Sequence, residues 1–339
     1  MPKNDNTNRM MISFVMPTYN SIRTIEQSLR SIREQNFDQS KLEIIVIDGN
    51  SDDGTLEIAS KFNAIILNNP YRLPEPGKLI GMKAAKGKYL FLIDSDEILR
   101  DKESLNRRIA FMENNPDVHG AIFDLFAPEE YNPLCIYMNE AGDPFSCFVY
   151  RRWGDTSYNF KKNLSRQSKF GNIYYFGSND LIPIGDANTF MDLDYIREKH
   201  PDIAGKIEPA VLWDVIIRDN GLVGYNEKDY VYHLSRCDFK TYIKKLKFRV
   251  VNNIHDVNGS GYSFRAQNDK KLRRRKYLYP FYCISIILPI FDGIRMSILH
   301  KNMVFMLHPI FVWYVMLEIV IQYIKKLVGT KSTNTSYGK

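Results

Sequence analysis

The chain has 339 residues, enough for one large α/β domain with an appendage, and its formal net charge is +7. Basic residues crowd into 240–249 and 270–276, which suits nucleic acid, anionic lipid or a solvated helix face, but nothing resembles a nucleic-acid-binding module. Four widely spaced cysteines without a Cys-X-X-Cys pair indicate neither a zinc site nor a disulfide framework, and they favour reduced thiols in a cytoplasmic setting.

The first predicted strand is the apolar run at residues 13–16. We expect Pro17 to stop this strand, and Thr18, Tyr19 and Asn20 to form the turn before a helix. Apolar residues at 22, 25, 29 and 32 have the spacing of that helix.

Two further apolar runs come next, at residues 42–47 and 64–67. The first ends at Asp48 in a turn-rich loop, and apolar residues from 56 to 62 suggest a helix after it. A helix-forming stretch over 78–86 then leads through Gly87 to a fourth run. This alternation predicts an α/β fold with a doubly wound, mostly parallel sheet.

The fourth run, residues 90–93, leads directly into Asp94, Ser95 and Asp96. Residues i and i+2 of an extended chain point the same way, so we expect the two carboxylates to lie side by side and to repel unless a cation lies between them. Mg²⁺ or Mn²⁺ suits such oxygen ligands and commonly bridges a carboxylate to substrate phosphates. The alternative is a solvated acidic turn. Ligands of open α/β sheets bind at the carboxyl ends of the strands, where these polar clusters all lie.

Four segments in this order resemble the family 2 glycosyltransferases, which have the GT-A fold. They are Val15 to Asn20, Val46 to Thr55, Gly81 to Gly87, and Leu92 to Asp96. The resemblance is close over residues 11–120 and weaker over 180–240. It implies a nucleotide-sugar donor, a divalent metal (Mg or Mn) and an inverting single displacement. The sequence departs from the family at Gly49, where a second acidic residue is common, and at Lys78-Leu79, where an Arg-Asn pair is frequent.

The resemblance assigns roles to individual residues. The donor would contact Pro17, Thr18, Tyr19, Asn20, Asp48, Lys78, Asp94 and Ser95, with Asp48 holding the nucleoside and Lys78 assisting at the phosphates. The metal would be held by Asp94, Asp96 and His233.

Asp214 matches the family position of the catalytic base, in a predicted helix over 212–220 that Gly221 closes. The alternative is a carboxylate in the N-terminal turn that is stabilised by the helix dipole and has no catalytic role. Trp213 stands where another acidic residue is frequent. His233 follows a strand predicted from residue 230, and a structural histidine remains the alternative to a ligand there. Arg236 could meet phosphate.

Aromatic and basic residues interleave over 128–180, a position that usually faces the acceptor in this family. Surface loops over a small second core are the alternative reading.

The most apolar tracts are 277–294 and 303–324. The link between them is basic, whereas a two-span hairpin should leave one side poor in Lys and Arg, so we expect helices that lie in the cytoplasmic interface and contact anionic lipid. A helical cap on a soluble core is the alternative.

These observations predict four regions. They are a disordered start at 1–10 without a signal peptide, a catalytic domain at 11–240 with a nucleotide-binding half (11–120) and an acceptor half (121–240), a membrane-association region at 241–326, and a disordered tail at 327–339. The predicted activity is sugar transfer to a lipid-linked or surface-polysaccharide acceptor. Transfer to a polyprenyl phosphate and a non-catalytic membrane-bound scaffold are the alternatives.

Overall fold

A computed structural model describes residues 9–154, 156–177, 180, 189–203, 209–235, 237–255 and 270–329. The predictions for residues 1–8, Arg236 and residues 330–339 lie outside this range. The chain forms two compact units. The first, the sheet unit, comprises Met1–Leu125, Asn163–Ser178 and Ile184–Leu234; the second, the helical unit, comprises Phe126–Lys162, Asn179–Pro183 and Ser235–Lys339.

The described part of the sheet unit contains ten strands and six α-helices, and the helices are numbered along the chain through both units. The strands are β1 (Ile12–Thr18), β2 (Leu42–Asp48), β3 (Ile65–Asn68), β4 (Tyr89–Leu92), β5 (Glu97–Leu99), β6 (Gly120–Phe126), β7 (Leu164–Ser168), β8 (Gly171–Tyr175), β9 (Thr189–Asp192) and β10 (Leu222–His233). The helices of this unit are α1 (Ile25–Arg33), α2 (Thr55–Lys61), α3 (Pro74–Ala84), α4 (Ser104–Glu113), α8 (Leu193–Lys199) and α9 (Pro209–Asn220).

The strands form one sheet in the order β3-β2-β1-β4-β9-β6-β10-β8-β7, with β5 paired to β10. The pairs β1–β2, β1–β4 and β2–β3 are parallel, and β9 pairs with both β4 and β6 in antiparallel fashion. The predicted α/β class is therefore confirmed, and its parallel strands are those that precede the polar loops.

Strand register aligns the ends of β1 and β2. Both strands are buried along their whole length, which explains their continuous apolar sequence. Thr18 pairs with Asp48, so the loops after the two strands start side by side. The expectation that Pro17 stops the first strand is wrong. Pro17 lies inside β1, opposite Ile47. The predicted first helix starts at Ile25, and Ile22 lies exposed outside it.

Close packing of α3 on β1 depends on Gly81. A Cβ atom added there would lie 2.5 Å from Val15 Cγ1 and 2.6 Å from Ile47 Cδ1, which is well inside van der Waals contact. Only glycine therefore lets the backbone of α3 approach the sheet this closely. This contact sets the height of Lys78, one turn earlier in the same helix.

A buried ion pair fixes β10, the strand that ends at His233. Arg108 Nε lies 2.8 Å from Asp229 Oδ2, and both side chains are fully buried. The guanidinium lies between the rings of Phe91 and Phe123, and Ser104 Oγ donates to Asp229 at 2.9 Å. Removing Asp229 would leave the buried Arg108 charge uncompensated, so α4 and β10 are firmly joined.

The described part of the helical unit contains α5 (Pro133–Ala141), α6 (Pro144–Tyr150), α7 (Thr156–Phe160), α10 (Phe239–His255), α11 (Lys270–Ile284), α12 (Ile287–Leu299) and α13 (His308–Leu327). One core joins α5, α6, α10, α11, α12 and α13, and it includes Tyr137, Cys147, Tyr242, Tyr279, Tyr282 and Phe311. Residues 126–162, which the sequence placed in the 121–240 half, thus pack with the C-terminal helices.

One histidine lies at the centre of this core. His308 is fully buried; its Nδ1 lies 2.7 Å from Tyr137 Oη and its Nε2 lies 3.1 Å from Tyr282 Oη. Burial lowers the pKa of His308 to about 3, so the imidazole is neutral at physiological pH. Tyr137, which the sequence assigned to an acceptor-facing region, is therefore part of the core.

Among the described residues, one helical stretch is long and apolar enough to cross a membrane, Met303–Leu327. Arg273–Ile284 and Ile287–Leu299 pass the same test only as a pair, and they are bent by 98°. The face of α13 that contains Glu318 and Gln322 is buried, and the two side chains share a hydrogen bond of 2.6 Å.

Candidate functional site

The loops after β1 and β2 are tied together by side-chain hydrogen bonds. Asn20 Nδ2 donates to Asp52 Oδ1 at 2.9 Å, and the backbone NH of Asp52 donates back to Asn20 Oδ1 at 3.0 Å. Asn20 has a φ of +49°, a conformation that asparagine tolerates better than most residues. The Asn-Ser-Asp sequence of the second loop thus serves to fix the first.

Asp48 organises the start of the second loop. Its carboxylate accepts hydrogen bonds from the backbone NH of Ser51 at 2.8 Å and from Ser51 Oγ at 2.5 Å. Asp48 is 4% exposed, and Ser51 Oγ in turn accepts from the backbone NH of Asn20 at 2.9 Å. Any contact of Asp48 with a nucleoside would therefore be made from a carboxylate already held in place by Ser51.

Asp53 joins the same loop to the start of the first helical segment. It accepts from the backbone NH groups of Ile22 (3.1 Å) and Thr55 (3.0 Å). Burial opposes its ionisation, but the Thr55 hydroxyl and these NH groups prevail and hold the pKa of Asp53 below its ordinary value. Sequence reasoning did not single out Asp53, although an Asp followed by Gly is a turn signal in which the Asp side chain bonds the backbone two residues on.

The segment Asp94 to Glu97 is a turn and not an extended strand, so the predicted reason for the two carboxylates to share a side is wrong. The backbone NH of Glu97 donates to the Asp94 carbonyl at 3.0 Å, and the Glu97 carboxylate accepts from the Asp94 NH at 2.9 Å. Glu97 is 2% exposed, and burial followed by the charges of Asp94 and Asp96 raises its pKa well above the ordinary value. Ser95 Oγ donates to Ser21 Oγ at 2.8 Å and links this turn to the loop after β1.

Lys78 reaches this turn from α3. Its Nζ lies 3.5 Å from Asp94 Oδ1, and the lysine is 4% exposed while the aspartate side chain is 39% exposed. The pair places an ammonium and a carboxylate side by side at the turn. The structure thus brings together Lys78 and Asp94, two of the residues expected to contact the donor.

His233 reaches the same turn from the end of β10. Its Nε2 lies 3.2 Å from Asp96 Oδ2, and His233 pairs with Glu97 in the antiparallel β5–β10 register. The sequence identified His233 only through the resemblance, since nothing local distinguishes it from a structural histidine.

No group of three or more His, Cys, Asp or Glu side chains with metal-binding geometry occurs in the part of the chain that the structure describes. Asp96 and His233 nevertheless offer one oxygen and one nitrogen donor side by side. Mg²⁺ characteristically takes only one or two carboxylates from a protein and the rest of its ligands from substrate phosphates and water. The donor set therefore fits a divalent ion that is completed by a diphosphate.

Gly49, the position of the missing second acidic residue, lies against a segment that the sequence did not assign. A Cβ at this position would lie 3.2 Å from Arg72 Cα and 3.4 Å from the Tyr19 side chain. The Arg72 guanidinium lies 5.6 Å from the centre of the Tyr19 ring. The space that an acidic side chain would need is thus occupied, and Arg72 adds a second cation near the two loops.

Asp214 lies in the second turn of α9, half-buried. The dipole of a helix N-terminus acts mainly within the first turn. A favourable interaction with the helix dipole, the alternative to a catalytic base, therefore does not explain the position of Asp214. Helix α9 contacts α3, which carries Lys78, and β10, which ends at His233. Its neighbour Trp213 is buried and donates to Thr189 Oγ1 at 3.0 Å, which makes it a packing residue.

Comparison with known proteins decides the family. The family described as Glycosyl transferase family 2 matches residues 13–170. The abequosyltransferase RfbV of Salmonella typhimurium is 32% identical over 296 residues, which cover 80% of this chain and 82% of RfbV. The chain belongs to glycosyl transferase family 2.

Other glycosyltransferases match over shorter stretches. The poly(ribitol-phosphate) β-N-acetylglucosaminyltransferase TarS of Staphylococcus aureus is 34% identical over 116 residues, which are 32% of this chain and 20% of TarS. The stretch of this chain that matches TarS therefore spans about a fifth of the length of TarS.

Two solved structures share the fold of this family 2 chain, and the predicted GT-A architecture is confirmed. Residues 1–349 of S. aureus TarS in complex with UDP superpose with a TM-score of 0.52 at 15% identity, covering 94% of this chain and 92% of that one. The mannosyltransferase PcManGT of Pyrobaculum calidifontis, in complex with GDP-Man and Mn²⁺, gives 0.50 at 12% identity, covering 93% and 88%.

Proposed function

We propose that the chain transfers a sugar from a nucleotide-diphosphate sugar to a lipid-linked or surface-polysaccharide acceptor, with inversion at the anomeric carbon. One observation carries the proposal. The loops after β1, β2 and β4 are joined at one edge of the sheet by the Asn20–Asp52 and Ser21–Ser95 hydrogen bonds, with Lys78 beside Asp94 at the same edge. Such an edge is where ligands of parallel α/β sheets bind.

The donor would bind along this edge. Asp48 and the Tyr19–Arg72 pair lie toward the first two loops and would meet the nucleoside, while Lys78 would meet the diphosphate. Pro17, Thr18, Asn20 and Ser95 would shape the backbone that the donor contacts. A divalent ion held by Asp96, Asp94 and His233 would offset the charge that develops on the departing diphosphate.

Asp214 would take the proton from the acceptor hydroxyl. A base must lie within hydrogen-bond reach of that hydroxyl, and α9 contacts the helix that carries Lys78. A half-buried carboxylate on a rigid helix is suited to this role because its position does not depend on a mobile loop.

Relatives support the class of acceptor. WfgD of Escherichia coli is named a UDP-Glc:α-D-GlcNAc-diphosphoundecaprenol β-1,3-glucosyltransferase, and it is 26% identical over 140 residues. We propose a corresponding place for this chain at the cytoplasmic face of a membrane, in contact with anionic lipid. The four cysteines are free in the structure, which suits a reducing compartment.

The test is donor binding by the purified full-length chain. We expect one or a few members of a panel of UDP-, GDP-, CDP- and dTDP-sugars to raise its melting temperature, more so with Mn²⁺ or Mg²⁺ than with EDTA. The selected donor should then be consumed when a lipid-linked oligosaccharide is added. Absence of stabilisation by every nucleotide sugar, with or without metal, would contradict the proposal.

A further inference from the structure

Helices α11 and α12 form a bent pair whose outer surface is apolar. Their axes change direction by 98° at the break between them. The exposed large apolar side chains along both arms and the bend are Tyr277, Leu278, Phe281, Ile284, Ile286, Ile287, Leu288, Ile290, Phe291, Ile294, Ile298 and Leu299. A contiguous exposed apolar surface of this extent marks an interaction site.

The bend itself, residues 284–288, is the most apolar and most exposed part, and we call it the tip. Ile286 is 56% exposed and Ile287 is 74% exposed. Ile286 has a φ of +55° and a ψ of −51°, a conformation that is unfavourable for a β-branched residue. The bend thus combines a strained backbone with isoleucine side chains that are exposed to water. Exposure of apolar side chains to water does not stabilise the fold.

The charges around this surface all have one sign. Between residues 270 and 329 the sequence has two acidic residues, Asp292 and Glu318, which are only 8% and 6% exposed. The exposed charged residues of the described segment are Lys270, Lys271, Arg273, Arg274, Lys301 and Lys326. A basic rim of this kind would repel a second copy of the same surface and attract an anionic one.

The distance from rim to tip matches half a bilayer. At a rise of 1.5 Å per residue, Arg274 lies about 15 Å along α11 from Ile284, and α12 is about 18 Å long. With arms inclined by roughly 41° to the bisector of the bend, the tip extends about 11–14 Å beyond the rim. The hydrocarbon region of one leaflet is about 15 Å deep, and neither arm approaches the 20 residues of a span.

We propose that the α11–α12 tip inserts into one leaflet of an anionic phospholipid bilayer as a re-entrant wedge, while the basic rim contacts the headgroups. The proposal deepens the membrane association included in the proposed function and does not depend on sugar transfer. Hydrogen bonds within the bend satisfy several of its backbone NH groups, which lowers the cost of entering the leaflet. The Ser285 NH donates to the Phe281 carbonyl at 3.0 Å, and the Leu288 NH donates to Ser285 Oγ at 3.3 Å.

The experiment is flotation of the full-length chain with sealed vesicles in the absence of donor. We expect binding to vesicles of phosphatidylcholine with 30% phosphatidylglycerol, and at least tenfold weaker binding to phosphatidylcholine alone. Ile287→Glu should lower binding to the anionic vesicles at least tenfold. The matched control is Ile65→Glu, which changes an exposed isoleucine of the sheet unit and should bind as the wild type does.

Depth distinguishes a wedge from other arrangements. A fluorophore on Ile287→Cys should be quenched by brominated acyl chains, whereas one on Lys301→Cys should stay accessible to a water-soluble quencher outside the vesicles. Equal vesicle binding by Ile287→Glu and wild type would overturn the proposal, as would a protected Lys301 label, which would mean a crossing helix. Light scattering that finds a wild-type dimer dissociated by Ile287→Glu would also overturn it, with a second copy as the occupant. Nucleotide-sugar stabilisation of Ile287→Glu, measured in parallel, tests the fold and the proposed function separately.

Discussion

His233 Nε2 lies 3.2 Å from Asp96 Oδ2, so the end of β10 and the turn after β4 meet although 137 positions separate them along the chain. The buried Arg108–Asp229 pair anchors β10 four residues before His233. The geometry of the Asp94–Asp96 turn is thus set by two distant elements, and its chemistry should respond to changes in either.

Asp96→Asn should reduce sugar transfer at least a hundredfold, because the amide keeps the size of the side chain and loses the charge that a divalent ion requires. His233→Gln should raise the Mn²⁺ concentration needed for half-maximal rate about tenfold. The measurement is initial rate against metal concentration, with Asp202→Asn, an exposed aspartate of the same unit, as control. A wild-type rate in excess EDTA would contradict the metal role.

Lys78→Met should raise KM for the nucleotide sugar by one to two orders of magnitude, since a hydrogen bond to a charged group is worth about 1.5–3 kcal/mol. Lys83→Met changes an exposed lysine of the same helix and should leave KM unchanged. Steady-state kinetics with varied donor separates the two. An equal effect of both substitutions would mean that the helix, and not the Lys78 charge, is responsible.

Asp214→Asn should lower kcat by about two to four orders of magnitude, the usual contribution of a general base, with donor affinity nearly unchanged. Donor affinity is measured by thermal stabilisation and kcat with the lipid-linked acceptor. A variant that loses donor affinity would remove Asp214 from the base role. One that keeps full turnover would instead favour a phosphate acceptor, which needs little deprotonation.

The helical unit should lose stability on acidification because of His308. Its folded-state pKa of about 3 lies below the value of about 6.5 for an unfolded histidine, so the unfolded chain binds a proton first as the pH falls. The contribution of His308 to the free energy of unfolding is therefore full above about pH 6.5, and it decreases as the pH falls from there toward 3. His308→Gln can still donate and accept within the tyrosine pair but does not titrate.

The measurement for this prediction is the melting temperature of both proteins between pH 7.5 and 5. The decrease on acidification should be smaller for His308→Gln than for the wild type. The same slope in both would show that other groups cause the acid sensitivity.

Sequence reasoning predicted the edge of the sheet where the polar loops meet because its signals are local. An apolar run that ends at Asp48, or at Asp94 and Asp96, indicates both a buried strand and the polar loop after it. Confirmed elements such as β2 over Leu42–Asp48 and α9 closed by Gly221 reflect that locality. The sequence pattern did not predict the turn at Asp94. The turn depends on a hydrogen bond from the Asp94 NH to the Glu97 carboxylate, and a pattern of apolar residues does not reveal such a bond.

Long-range pairings were beyond the sequence. Neither the Arg108–Asp229 ion pair nor the contact of Arg72 with Tyr19 has a signal in residue spacing, since each depends on where two distant segments meet. The same limit applies to residues 126–162. Their aromatic residues were read as a site-facing region, and the structure packs them with helices more than a hundred positions later.

That shared core bears on how a soluble form of the protein is to be made. Tyr282 stacks on Phe148 with ring centres 4.4 Å apart, and Arg275 Nε donates to the Val149 carbonyl at 2.8 Å. Cutting the chain near residue 270 would strip these partners from α5 and α6 and expose fresh apolar surface in the middle of the sequence. Soluble protein for crystallisation or assays is better obtained by replacing a few exposed isoleucines of the bend with charged residues, because these substitutions leave the core intact.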